Sequence, residues 1–201
     1  MAAVAAASLR AGTPLNALIT VHWAALALDD REAGRATQDF LRRARDWARD
    51  HGLPWLALWV REGDVGDQRK GAHLHVLVHL SGPRSAAFAR GFARWARLAA
   101  GSGPVRGAVD TRRIGGRVNA WVGASDHFGV NLRETVAYAC KGAPHSDATA
   151  LAEGLCAIWA GEGGGPVRTG EGGRVWGHRA GMSRELARLG KARAIGAFGA
   201  K

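Results

Sequence analysis

Three histidines stand in the stretch GAHLHVLVHL, at positions 73, 75 and 79, alternating with Leu and Val. In an extended strand successive side chains point to opposite faces. His73, His75, Leu77 and His79 therefore share one face, and Leu74, Val76, Val78 and Leu80 share the other. Two imidazoles two residues apart on a strand can bind one cation. Glu62 ends the preceding apolar run PWLALWVRE (54–62) and adds a carboxylate to the same patch if the two runs pair through the connection 63–71. Two imidazoles and one carboxylate leave coordination positions open, as a catalytic ion requires. His79, further along, reads as an ordinary histidine near the sheet edge.

A second candidate lies downstream. Tyrosine occurs once in the chain, at position 138, against eight tryptophans and five phenylalanines. In the helix-like segment NLRETVAYACKG (131–142), Glu134, Tyr138 and Lys141 fall at i, i+4 and i+7, along one stripe. An ordinary phenol titrates near pH ~10, so as a nucleophile it needs a nearby cation or base. Lys141 and a bound ion can supply that help.

These residues need a scaffold. Residues 16–28 begin as a strand, with Ile19, Val21 and Trp23 on one side and Leu18, Thr20 and His22 on the other. Residues 29–52 open with acids, close on Gly52 and carry Phe40, Leu41, Ala44, Trp47 and Ala48 at helical spacing, which predicts a helix. The runs 54–62 and 71–80 read as an antiparallel hairpin. A second amphipathic helix is expected at 85–100, with Phe88, Phe92 and Trp95 on its apolar stripe, and a short strand at 107–116. The order strand, helix, strand, strand, helix, strand is that of an α+β, ferredoxin-like (RRM-like) antiparallel sheet. Two helices would cover one face; the metal site and the helix of Tyr138 belong to the other, which is expected to be open. Asn131 with Glu134 suggests a capping-box start for that helix, and Gly142 its stop. The expected organisation is one domain over 1–145. A helical (146–160), glycine-rich (161–173) and basic extension would follow over 146–201, packed on the same domain.

Composition limits what such a scaffold can bind. The chain has 201 residues, 28 basic and 17 acidic, a formal charge of +11. Such a surplus draws a protein towards polyanions, above all nucleic acid. The 24 arginines suit bidentate phosphate contacts, and a GC-rich genome would give the same bias. From Pro166 to Lys201 the chain carries eight basic residues and two acids. Arg174, Arg179 and Arg184 there, with Arg133, are the candidate nucleic-acid contacts. Cys140 and Cys156 make no disulfide framework and read as buried thiols of a reducing compartment. The N-terminal MAAVAAASLR lacks a basic n-region, so a signal peptide is not expected. No apolar run approaches membrane-spanning length. A cytoplasmic protein with no membrane association is the expectation.

HLH at 73–75, followed 63 residues after His75 by the Y-x-x-K of YACK (138–141), resembles the HUH endonuclease superfamily. More narrowly, the chain resembles its single-tyrosine rolling-circle replication initiators of plasmids and phages. LITVHW at 18–23 stands where that family has its first, structural motif, and the likeness spans roughly residues 15–145. It implies a site-specific nick in single-stranded or hairpin origin DNA. His73 and His75 would bind Mg²⁺ or Mn²⁺, with Glu62 as candidate third ligand. Tyr138 would attack the scissile phosphate, leaving a 5′-phosphotyrosyl link and a free 3′-OH, with Lys141 stabilising charge. The chain contains no GxxxxGK[ST] loop, so a host helicase and polymerase would be partners, and one tyrosine excludes a two-tyrosine shuttle within one chain. Two rivals are a single-tyrosine transposase of the same superfamily and a non-catalytic single-strand-binding module, which would stack bases on Trp121, Trp159 or Trp176.

Overall fold

The structure, a computed structural model, describes residues 2–63, 71–114, 126–139 and 178–190. The expected helix 146–160, the glycine-rich stretch, Gly142, both cysteines and Trp121, Trp159 and Trp176 lie outside these residues. Among those described, the fold is α+β. In chain order the elements are α1 (Ala2–Arg10), β1 (Ala17–His22), α2 (Asp30–Asp50), β2 (Ala57–Glu62), β3 (His73–Val78), α3 (Ser85–Ala100), β4 (Val109–Arg113), α4 (Asp126–Ala139) and β5 (Ala180–Met182). The five strands form one antiparallel sheet in the order β4-β1-β3-β2-β5.

Alternation along the strands separates two cores. Ile19, Val21, Leu74, Val76 and Val78 face α2 and α3, where Phe40, Phe88, Phe92 and Trp95 fill the space. α2 starts on a full capping box: Asp29 Oδ1 accepts from Glu32 N at 2.7 Å, and Asp29 N donates to Glu32 Oε2 at 3.0 Å. α3 ends on Gly101 at φ +64, a left-handed cap. Trp47 of α2 stacks on Phe88 of α3 with ring centroids 5.1 Å apart.

The opposite face is not open along its length. Leu58, Val60 and Leu77 are covered by Ala5 and Ala6 of α1 and by Phe128, Leu132, Val136 and Ala139 of α4. Residues Ala2–Arg10 are thus a helix that packs against the second core through Ala2, Ala5 and Ala6, with Val4 and Leu9 beside them, a role that its mostly alanine composition hides. α4 begins at Asp126, a turn and more before the expected start. Asn131 is not its cap but an interior residue whose carbonyl accepts from Thr135 Oγ1 at 2.7 Å. Phe128, Leu132, Val136 and Ala139 give the helix one buried stripe, and the interior Gly129 obscures it in the sequence. The basic tail also contributes structure: β5 adds an edge strand beside β2, Leu58 opposite Met182 and Val60 opposite Ala180.

The ends of the sheet are tied by two buried polar clamps. Asn16 donates Nδ2 to Leu80 O and accepts Leu80 N at Oδ1, both at 2.7 Å. Arg61, with 2% of its side chain exposed, bonds the Asp30 carboxylate at 2.7 Å and the Asp30 carbonyl at 2.8 Å, fastening β2 to the start of α2.

Candidate metal centre

The β2–β3 register sets Glu62 opposite His73 and Val60 opposite His75; the β1–β3 register sets His22 opposite His73 and Thr20 opposite His75. Glu62, His73, His75, Thr20 and His22 therefore meet on one face near the end of the sheet that carries Glu62 and His22. Among the described residues, Glu62, His73 and His75 form a group able to hold a metal ion, with ligand atoms within 4.8 Å of one another. Glu62 Oε2 lies 2.8 Å from His73 Nε2 and 3.8 Å from His75 Nε2. All three residues are buried, at 3%, 6% and 3% exposure. Burying a carboxylate and two imidazoles is costly unless they are paired or bind a cation.

The far side of each ring is also held. His73 Nδ1 donates to the Gly71 carbonyl at 3.0 Å, and His75 Nδ1 lies 3.0 Å from Thr20 Oγ1. Metal-binding histidines are typically oriented in this way, through the ring nitrogen that does not bind. The residues present therefore fit a cation by their donor set and by their anchoring. Gly71 has φ +68, and a Cβ built there would lie 2.1 Å from Ala24 Cβ, so only glycine places this carbonyl under His73.

A cleft of about 550 Å³ opens above the centre, floored by Leu18, Thr20 and His22, with Asp110 and Arg112 of β4 on one side and Glu134, Thr135 and Tyr138 of α4 on the other. Tyr138 is 46% exposed, and its ring meets His75 edge to face with centroids 5.2 Å apart. Arg112 Nε donates to Asp110 Oδ2 at 2.8 Å. His22 is stacked near His73 with centroids 6.1 Å apart. Burial, and then the charges of His73 and His75, push the His22 imidazole below its ordinary value, with Asp110 opposing.

The structure thus brings Glu62, His73, His75 and Tyr138 together. Lys141 and Arg174 lie outside the described residues. Arg133 is half-buried on α4 and is not among the cleft residues. Arg61 N donates to the Arg179 carbonyl at 2.6 Å. Arg184 is exposed in a groove with Arg42, Arg45, Trp59 and Met182, on the α2 side of the sheet and away from the cleft. His79 is buried just beyond β3, with Nδ1 bonded to Pro14 O at 2.7 Å, at the opposite end of the strand from the metal centre. Thr20, His22, Asp110 and Arg112 had no role in the sequence reading. Their signal was present for Thr20 and His22, which alternation puts on one face of β1; the residue-by-residue register that sets them opposite His75 and His73 is what the structure adds.

Comparison of the chain with known protein families, curated proteins and solved structures finds no match.

Proposed function

We propose that this chain is a single-tyrosine HUH endonuclease on a ferredoxin-like scaffold that nicks and rejoins single-stranded DNA, as a rolling-circle replication initiator does. The observation that carries the reading is the Tyr138 ring, half exposed and 5.2 Å from that of His75, in a cleft that His73 and His75 of the Glu-His-His group also line. The strand order β4-β1-β3-β2, with α2 and α3 on one face, supports the ferredoxin-like part. The +11 charge supports a polyanionic substrate.

In this reading Glu62, His73 and His75 hold Mg²⁺ or Mn²⁺. The ion's chemistry, when bound, is to draw charge from a phosphoryl oxygen and so favour attack at phosphorus. The oxygen of the half-exposed Tyr138 gives its proton to solvent and forms a bond to phosphorus as the bond from phosphorus to the 3′ oxygen breaks. That oxygen takes up a proton, leaving a free 3′-OH and a 5′-phosphotyrosyl link. One phosphodiester replaces another, so the strand can be resealed by the reverse step. The half-buried His22 favours its neutral imidazole and so adds no fixed positive charge to the cleft floor. Lys141, three residues beyond Tyr138 in the sequence, is assigned to charge stabilisation near the phenol.

The test is a denaturing gel after incubation with labelled single-stranded oligonucleotides of randomised sequence and Mn²⁺. The wild-type chain should give cut DNA and an SDS-resistant shifted band. Tyr138→Phe should lose both while still retaining DNA on a filter, and the double change His73→Ala, His75→Ala should lose metal-dependent cutting with the fold intact. A covalent complex formed by the Phe variant would show that the nucleophile is misassigned. Retention without any cutting by the wild type would favour a binding module.

A further inference from the structure

The two imidazoles of the centre are anchored by chemically different groups. The Gly71 carbonyl beneath His73 can only accept a hydrogen bond, so His73 Nδ1 carries the proton and Nε2 is the atom turned to Glu62. The group beneath His75 is the hydroxyl of Thr20, which can accept or donate. If it donates to Nδ1, the His75 proton sits on Nε2 and points towards the Glu62 carboxylate 3.8 Å away, an arrangement that suits an empty centre. If it accepts from Nδ1, the Nε2 lone pair is presented to the cation. A turn of one hydroxyl bond separates the two.

From this asymmetry we infer that Thr20 is a positioning residue: its hydroxyl accepts from Nδ1 and so supports the metal-binding tautomer of His75. The inference rests on the cation reading of Glu62, His73 and His75. It also accounts for a threonine here, in a strand whose other β-branched residues are Ile19 and Val21. Valine would fill the same space directly across from His75 and keep the same strand preference, but would give Nδ1 no acceptor.

The test uses the full chain and the metal alone. Free Mn²⁺ is followed by electron paramagnetic resonance during titration of wild type, Thr20→Val and Thr20→Ser, with a thermal melt of each metal-free protein to confirm folding. Thr20→Val should bind Mn²⁺ about ten- to a hundredfold more weakly, the usual effect of losing such an anchor. Thr20→Ser should bind as wild type does. Equal affinity of Thr20→Val and wild type, or equal weakness of the Val and Ser variants, would overturn the role. If the Val variant fails to fold, Thr20→Ala is compared with Thr20→Ser: the Ala variant should bind Mn²⁺ about ten- to a hundredfold more weakly than the Ser variant, and equal affinity of the two would end the inference. Failure of the wild type to bind Mn²⁺ would sink the cation reading itself, whereas binding that ignores position 20 would sink only this inference.

Discussion

The histidines of the 71–80 stretch illustrate how position decides what one residue type can do. His73 and His75 converge on Glu62, while His79 points towards the Pro14 carbonyl at the other end of the strand. Burial lowers the His79 value below that of an ordinary imidazole, with the hydrogen bond to Pro14 O opposing. The folded chain therefore binds fewer protons there than the unfolded chain. Stability should fall as pH drops below about 6.5, the ordinary value, and on towards the lower folded-state value. His79→Asn keeps a donor for Pro14 O and removes the titrating group. Its melting temperature should change less than that of the wild type across the same pH range; an unchanged pH profile would exclude His79 as the source. Gly71 offers a second test at this scale. Gly71→Ala imposes a side chain at φ +68 and against Ala24, so it should lower stability and displace the carbonyl that holds His73. Calorimetry and Mn²⁺ titration should both register the loss.

Strand pairing then turns scattered residues into a centre. Glu62, His73, His75 and Thr20 are gathered by two antiparallel registers, and a shift of one residue in either would move the set to the other face. Asn16 helps to hold that register by clamping both backbone groups of Leu80. Asn16→Ala leaves those buried groups without the clamp and should cost about 2–4 kcal/mol in denaturant unfolding. Much of this level was legible in the sequence. The period of two in HLHVLV, and the periods of helices 30–50 and 85–100, arise from burial of large apolar side chains and so leave a pattern. The elements that escaped leave a weaker one. α1 packs mainly through alanines, the unforeseen first turn of α4 contains a glycine, and β5 is three residues long on the edge of β2. The expectation of an open face failed for that reason: its cover comes from helices without strong signatures. His22 and Thr20 were on the correct side of β1, but the residue-by-residue register with β3, which no local pattern encodes, was needed to bring them to the site.

At the scale of the molecule, the sheet separates two surfaces. One end of its second face is sealed by α1 and α4, and the other opens into the cleft over the candidate metal centre. The +11 charge is a property of the entire chain, and Arg184 shows that part of it lies on the α2 side, remote from that cleft. DNA retention should therefore weaken steeply with salt, the logarithm of affinity falling by about 0.7 per phosphate contact on a single strand for each tenfold rise in salt. Retention indifferent to salt would argue against a phosphate-driven interface. The central claim, that Tyr138 is the nucleophile at a cation held by Glu62, His73 and His75, is tested most directly by locating the covalent bond. After incubation with single-stranded DNA and Mn²⁺, nuclease treatment and trypsin digestion, mass spectrometry should find a nucleotide on Tyr138 in the peptide from Glu134 to Lys141. A nucleotide on any other residue, or DNA cut with no protein-linked product, would contradict it.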